Sequence, residues 1–158
     1  MDLYLLRHAK AEPWASTDAG RPLSPAGQLQ AQRVGEWCAA QGIAPEALLA
    51  SPTLRARQTA HAVADALGIG GAGVITAPFL APGMSPDAAY EGLRDYARFD
   101  PVLCVGHEPD LSQLAARLLG LVSGSAVTFT PATLAGFQLA SLRGGGARLH
   151  ALVPGPVG

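Results

Sequence analysis

Short apolar runs alternate with longer segments of helical spacing along the first three quarters of the chain. The runs at residues 2–6, 47–51, 74–77 and 101–107 are rich in Leu, Val, Ile and Ala, which is typical of buried strands in a parallel sheet. Between them, apolar positions recur at the spacing of an amphipathic helix. Strands that alternate with helices in this way predict an α/β fold with a mainly parallel sheet.

Ser-Pro pairs and glycines mark the ends of the helical segments. Ser24-Pro25 and Ser51-Pro52 each place an N-cap residue before a proline, and this order favours the start of a helix. Glycines follow the segments and can end them. The four predicted helices cover residues 25–41, 52–67, 86–98 and 111–119.

The last quarter of the chain has a different pattern. Residues 127–153 combine apolar alternation with glycines, which predicts strands and a hairpin around Gly144–Gly146. The whole pattern predicts an α/β three-layer sandwich, with a mainly parallel sheet flanked by helices and an antiparallel strand or hairpin near the C-terminus. We expect one domain over residues 1–158, because the length suits a single core and no linker interrupts it.

Composition and charge narrow the functional classes. The 11 basic and 12 acidic residues give a net charge of −1, so we expect neither a nucleic acid nor a membrane surface as partner. No apolar run is long enough to cross a bilayer, and no signal-peptide pattern opens the chain. We therefore expect a cytoplasmic location.

Residues that carry chemistry lie where the predicted strands end. Arg7 and His8 end the first strand, and His107 ends the long apolar strand. Arg55 lies in the first turn of the helix that follows the second strand. Because crevices in parallel sheets lie beyond the carboxyl ends of the strands, these side chains should share one cavity. Guanidinium groups bind phosphoryl oxygens bidentately, and a neutral imidazole can attack phosphorus while a second, protonated one stabilises charge.

Four segments of the chain resemble blocks of the histidine phosphatase superfamily. They are LYLLRHAKAE, RPLSPAGQLQA, ASPTLRARQTA and VGHEPDLSQL, and they occur in the family's order. The opening and the short length resemble the SixA-type phosphohistidine phosphatases. The resemblance implies that His8 is the nucleophile that becomes phosphorylated. It also implies that Arg7, Arg55 and His107 bind the phosphoryl oxygens. Arg21 would be a further phosphate contact, and no metal or other cofactor is implied.

The sequence departs from the superfamily pattern in two places. Ala9 stands where many members have glycine, a substitution familiar in the SixA-like branch. Many relatives also place a glutamate after the third strand, where it protonates an alkoxide leaving group. Residues 76–93 offer no obvious match to it. An imidazole is a less basic leaving group than an alkoxide, so a missing acid favours a substrate with a nitrogen–phosphorus bond.

Two other carboxylates are candidates for a general acid. Glu108 adjoins His107 and could serve as an acid, although its place beside Pro109 favours a charge at the start of a helix. Glu12 is the second candidate. Arg57 should point away from the cavity into solvent, because it lies two residues from Arg55 on the same helix.

The sequence therefore predicts a metal-independent phosphatase that acts on phosphohistidine in a protein, for example a histidine phosphotransfer domain. The same chemistry on a small phosphorylated metabolite is the first alternative. A non-catalytic phosphate-binding module on the same fold is the second. A zinc site at His8 and His107 is disfavoured, because the neighbouring arginines repel a metal cation and no further ligand lies at suitable spacing.

Overall fold

A six-stranded sheet forms the centre of the molecule. The computed structural model describes residues 1–124, 126–143 and 145–156. The strands are β1 (Asp2–Arg7), β2 (Ala47–Ala50), β3 (Val74–Thr76), β4 (Val102–Gly106), β5 (Leu134–Gln138) and β6 (Arg148–Val153). Their order is β3-β2-β4-β1-β5-β6. The first four strands in this order run parallel, whereas β5 pairs antiparallel with β1 and β6 antiparallel with β5.

Helices cover both faces of the sheet. They are α1 (Pro25–Ala40), α2 (Leu54–Leu67), α3 (Pro86–Arg94) and α4 (Asp110–Leu118). In β1, Leu3 and Leu5 pack with the α3 and α4 side of the core, and Tyr4 and Leu6 pack with the α1 and α2 side. This strand is apolar on both faces because both faces are buried. The predicted three-layer sandwich with a mainly parallel sheet is confirmed.

Helix α2 begins later than the Ser-Pro pair predicts. Its first residue is Leu54 and its N-cap is Thr53, so the prediction of a helix start at Ser51-Pro52 is wrong. The Ser51 hydroxyl instead lies 2.7 Å from Nε2 of His107. Ser51 therefore contacts a histidine at the end of β4 and does not cap helix α2.

Helix α3 ends earlier than predicted. The apolar spacing over residues 86–98 predicts one continuous helix, but the α-helix stops at Arg94. The Tyr96 amide donates to the Leu93 carbonyl at 2.9 Å and the Ala97 amide to Arg94 at 3.2 Å. These i to i+3 hydrogen bonds form turns after the helix instead of a further α-helical turn. The apolar residues in such turns recur at nearly the spacing of a helix, which is why the sequence pattern predicts a longer one.

The C-terminal antiparallel hairpin of β5 and β6 is confirmed. Its connection is longer than a tight turn. Gly145 and Gly146 both adopt a positive φ, 80° and 81°, which favours glycine over residues with a side chain. Gly144, the first residue of the predicted turn, lies outside the described residues.

The segment between β1 and α1 is fixed at its base. The Glu12 amide donates to the Pro22 carbonyl at 2.8 Å, and the Ser24 amide donates to Lys10 at 3.0 Å. A Cβ on Gly27 would lie 1.8 Å from the Lys10 carbonyl oxygen. Glycine is thus required where α1 packs against this segment. In the part of the chain that the structure describes, no helix combines the length and the apolar character that crossing a membrane requires.

Candidate active site

The register of β1 and β4 brings two histidines together. Arg7 pairs with Gly106 in adjacent parallel strands, so the residues that follow them lie side by side. The rings of His8 and His107 have centroids 5.2 Å apart with an interplanar angle of 56°. The His8 amide also donates to the Gly106 carbonyl at 3.0 Å. Both side chains are buried, which fixes the pair at the carboxyl end of the sheet.

A cavity of about 340 Å³ opens at this end of the sheet. It is lined by Arg7, His8, Lys10, Ala11, Arg21, Arg55, Pro82, His107, Glu108 and Pro131. All five residues predicted for the site therefore line one cavity, although their roles stay predictions. Four of the lining side chains are cations and one is a carboxylate. This excess of positive charge favours an anionic ligand.

The hydrogen bond of His8 fixes which ring nitrogen carries its proton. Nδ1 lies 2.7 Å from the Ala9 carbonyl oxygen, which can only accept. A neutral His8 therefore keeps its proton on Nδ1. Its Nε2 keeps the lone pair, as a nucleophile requires.

His107 is held by hydroxyl groups. Its Nε2 lies 2.7 Å from Oγ of Ser51 and 3.4 Å from Oγ1 of Thr53. When the Ser51 hydroxyl donates to Nε2, the proton of a neutral His107 resides on Nδ1. The ring then offers one hydrogen-bond donor without being charged.

Burial and neighbouring charge hold both histidines neutral at pH 7. Desolvation, with smaller contributions from Arg55, Arg7 and Arg21, lowers the pKa of His8 from 6.5 to about 4. Desolvation, followed by the nearby His8 and Arg55, lowers the pKa of His107 to about 3. The second imidazole is therefore neutral in the free protein, and it would stabilise charge as a cation only after protonation. A bound dianion would favour protonation of His107.

Two guanidinium groups present buried donors to this region. The Arg7 Nη1 donates to the Phe129 carbonyl at 2.9 Å. The Nε atoms of Arg7 and Arg55 are buried and have no hydrogen-bond partner among the described residues. A buried donor without an acceptor costs free energy. Because Arg7 and Arg55 line the cavity, their other N–H groups are the donors that an oxyanion could meet there.

Sequence reasoning missed three polar residues around the site. Thr59 Oγ1 accepts from the Ala9 amide at 3.0 Å and donates to the Arg55 carbonyl at 2.8 Å, so it ties β1 to α2. Lys10 lines the cavity, and Asp18 contacts the guanidinium of Arg55. The i to i+4 spacing of Arg55 and Thr59 is a signal that could have identified Thr59.

The two candidate acids have other contacts. The Glu108 carboxylate accepts from the amide and hydroxyl of Ser112 and, at 3.4 Å, from the Phe129 amide. It thus caps the start of α4, as its position beside Pro109 indicates. Glu12 is not among the residues that line the cavity, and its backbone carbonyl accepts from Arg21 at 3.0 Å.

Arg57 is exposed and donates to the Pro52 carbonyl at 3.2 Å, away from the cavity. Within residues 1–124, 126–143 and 145–156, no group of three or more His, Cys, Asp or Glu side chains is arranged to hold a metal ion.

The fold and the paired histidines at its strand ends agree with what sequence comparison finds. Residues 3–80 match the histidine phosphatase superfamily (branch 1). The phosphohistidine phosphatase SixA of Escherichia coli (strain K12) is 30% identical over 120 residues, which are 75% of this chain and 74% of that protein. The chain belongs to the histidine phosphatase superfamily and is a hydrolase of the SixA type.

Two solved structures illustrate how widely this fold is shared. The structure of the protein histidine phosphatase SixA complexed with tungstate superposes with a TM-score of 0.86 and 25% identity, over 98% of this chain and 97% of that one. The alpha-ribazole phosphatase from Shigella flexneri gives a TM-score of 0.73 with 20% identity, over 96% of each chain. The fold is thus common to phosphatases of different substrates.

Proposed function

We propose that this protein removes the phosphoryl group from phosphohistidine in a protein substrate, through a covalent intermediate on His8. The observation that carries the proposal is the His8 ring itself. Its Nδ1 is committed to the Ala9 carbonyl, so Nε2 holds a lone pair beside His107 in a cavity lined by four cations. The similarity to SixA proteins supports phosphohistidine as the substrate class. We take residues 1–158 to act as a single histidine phosphatase domain.

In the first step, the lone pair of His8 Nε2 forms a bond to phosphorus. The bond between phosphorus and the substrate's ring nitrogen breaks, and its electron pair leaves with the substrate imidazole. A substrate ring that carries a proton on its other nitrogen departs as neutral imidazole. His8 keeps its Nδ1 proton and becomes a phosphorylated, positively charged ring, which the Ala9 carbonyl at 2.7 Å stabilises.

In the second step, water attacks the phosphorus of the phosphorylated His8. The bond from phosphorus to Nε2 breaks and returns its electron pair to the ring. The proton lost by the water passes to phosphate or to solvent. His8 is then neutral again with its proton on Nδ1, and inorganic phosphate leaves the cavity.

The other predicted site residues bind the phosphoryl oxygens in this proposal. The cavity is lined by Arg7, Arg21 and Arg55, whose guanidinium groups supply N–H donors for these oxygens. His107 donates a hydrogen bond to these oxygens, and it takes up a proton from solvent when the dianion binds. These donors are fixed before the reaction, which is how a site stabilises a transition state most effectively.

The contacts of Glu108 favour a nitrogen–phosphorus substrate. Among the described residues that line the cavity it is the one carboxylate, and it accepts hydrogen bonds from Ser112 and Phe129. A carboxylate held in this way is poorly placed to protonate an alkoxide. A protonated imidazole needs no such acid, because it leaves without negative charge.

A small phosphorylated metabolite is the second candidate substrate. The shared fold with the alpha-ribazole phosphatase supports it, and the cavity is large enough for a small phosphate ester. A non-catalytic phosphate-binding module is the third candidate. The free Nε2 of His8 argues against it, because simple binding has no need of a nucleophile.

Substrate competition separates the candidates. Purified protein is offered a phosphohistidine-bearing phosphotransfer domain and a panel of sugar phosphates, and kcat/KM is compared with and without a chelator. We expect preference for the phosphohistidine protein and no loss in chelator. A clear preference for the sugar phosphates would establish the second candidate, and loss of turnover in chelator would contradict metal independence. Binding without turnover would establish the third.

A further inference from the structure

Asp18 contacts two arginines of the cavity at once. Its Oδ1 accepts from Nε of Arg21 at 3.0 Å, and its Oδ2 accepts from Nη2 of Arg55 at 3.1 Å. Its backbone carbonyl accepts from Nη1 of Arg55 at 2.8 Å. A single loop residue therefore holds one guanidinium from its own loop and one from helix α2.

These contacts determine which donors remain for a ligand. Both terminal nitrogens of Arg55 bond to Asp18, and each of them keeps a second N–H. Arg21 uses Nε for Asp18 and Nη1 for the Glu12 carbonyl. Each guanidinium is thus fixed in orientation, with part of its donor set left available.

The segment that carries Asp18 is itself docked on α2. The Leu54 amide, at the first position of the helix, donates to the Ala19 carbonyl at 2.9 Å. The N-cap residue Thr53 makes no side-chain hydrogen bond to the helix. The Ala19 carbonyl accepts from the first turn of the helix in place of a side-chain cap. This hydrogen bond holds the loop that carries Asp18 next to the helix that carries Arg55.

Asp18 is ionised, so it can accept hydrogen bonds from the arginines but cannot donate a proton to the substrate. Hydrogen bonds from Arg21 and the charge of Arg55 lower the pKa of its carboxyl group. The carboxylate stays ionised near neutral pH and keeps accepting from both guanidinium groups. It also separates two like charges that would otherwise repel each other.

We infer that Asp18 is a positioning residue that orients Arg21 and Arg55 for the phosphoryl oxygens. The inference rests on the proposed function, because it acts through arginines assigned there to phosphate. A misplacement of about 1 Å in such donors can cost about 100-fold in rate. We expect the removal of Asp18 to act on transition-state stabilisation and on oxyanion affinity together.

The test compares Asp18→Ala and Asp18→Asn with the wild-type protein. Turnover of p-nitrophenyl phosphate and the Kd for tungstate, a tetrahedral oxyanion, are measured for each. We expect Asp18→Ala to lower kcat/KM by about 10-fold to 100-fold and to weaken tungstate binding. For Asp18→Asn, both kcat/KM and the tungstate affinity should lie between those of the wild type and Asp18→Ala. The reason is that the amide oxygen of Asn can still accept from one guanidinium.

A double-mutant comparison tests whether Asp18 acts through Arg21. In an Arg21→Ala background, Asp18→Ala should cost markedly less than in the wild type, because one of its partners is already gone. The matched control is Asp87→Ala, which breaks an exposed ion pair with Arg117 of 2.9 Å. It should leave both kinetics and tungstate affinity unchanged. Thermal unfolding of each variant shows that the fold persists.

Three results would overturn the inference while the proposed function stands. They are unchanged kcat/KM in Asp18→Ala, tighter tungstate binding in that variant, and fully additive effects with Arg21→Ala. Tighter binding would identify Asp18 as an anion that competes with the ligand. A wild-type protein that neither binds tungstate nor hydrolyses p-nitrophenyl phosphate would contradict the proposed function and this inference together.

Discussion

Two groups of residues reach the same cavity by different routes. The strand-end group, Arg7, His8 and His107, follows β1 and β4 and is fixed by strand register. The loop group lies between β1 and α1 and comprises Lys10, Asp18 and Arg21. Lys10 and Arg21 line the cavity, whereas Asp18 lies outside the lining and pairs with Arg21 at 3.0 Å.

Burial separates the two strand-end histidines from the exposed Lys10 and Asp18 of the loop group. His8 and His107 are 8% and 4% exposed, whereas the Asp18 side chain is 66% exposed. Desolvation therefore controls the strand-end histidines and keeps them neutral, while the loop group carries its charge at the solvent boundary. We interpret the two strand-end histidines as the source of the chemistry. The loop group contributes to oxyanion binding through Arg21, together with Arg7 and Arg55. Each prediction below tests this division.

The largest effect should come from His8→Asn. It removes the Nε2 lone pair, so kcat for p-nitrophenyl phosphate should fall by at least about 10³-fold, while tungstate still binds. His61→Ala is the control, because His61 is an exposed histidine on α2 and its removal should leave kcat unchanged. Persistent turnover in His8→Asn would show that another group attacks phosphorus.

His107→Ala should have the next largest effect. Its donor matters most as charge transfers to the phosphoryl oxygens, so we expect kcat to fall by about 10²-fold to 10³-fold with a small change in KM. Steady-state kinetics give both constants. A raised KM with an unchanged kcat would show that His107 only binds the substrate, which is the role expected of Arg21 in the loop group.

Arg21→Ala should have a smaller effect of a different kind. Arg21 lies in the half-exposed loop group, so its loss should mainly raise KM and the Kd for tungstate, by about 10-fold. Isothermal titration and kinetics measure the two quantities. A fall in kcat as large as that of His107→Ala would remove the distinction between the groups.

The pH profile should show the smallest change near neutrality. His8 must be neutral to attack, and its pKa is lowered from 6.5 to about 4. The reactive form is present above that pKa and is lost as the pH falls through it. Once the substrate's own ionisation is taken into account, kcat/KM should stay level from pH 7 to 5 and fall around pH 4. A midpoint near 6.5 would show that burial does not depress the pKa.

The strand-end group could be predicted from the sequence because sheet topology leaves little freedom. Apolar runs that end in Arg7-His8 and in His107 place these residues at one edge once the strands are parallel. The local Ser-Pro signal, by contrast, failed at Ser51, whose hydroxyl bonds to His107 in a tertiary contact. A local Ser-Pro signal cannot reveal which of two partners the hydroxyl takes.

The loop group could not be predicted to the same extent. A resemblance identified Arg21, but no periodicity gives the path of residues 9–24, and Asp18 was missed entirely. Its importance depends on the distances from one carboxylate to two guanidinium groups that are 3 and 37 residues away in the sequence. Such contacts follow from the folded path of the chain and have no local pattern.

Direct detection of the phosphorylated enzyme tests the central claim most sharply. The protein is mixed with excess substrate, quenched in alkali, digested and analysed by mass spectrometry for a phosphoryl group on each peptide. We predict an acid-labile phosphoryl group on His8 in the wild type and none in His8→Asn. A phosphoryl group on another residue, or continued turnover with no phosphorylated enzyme, would contradict the account.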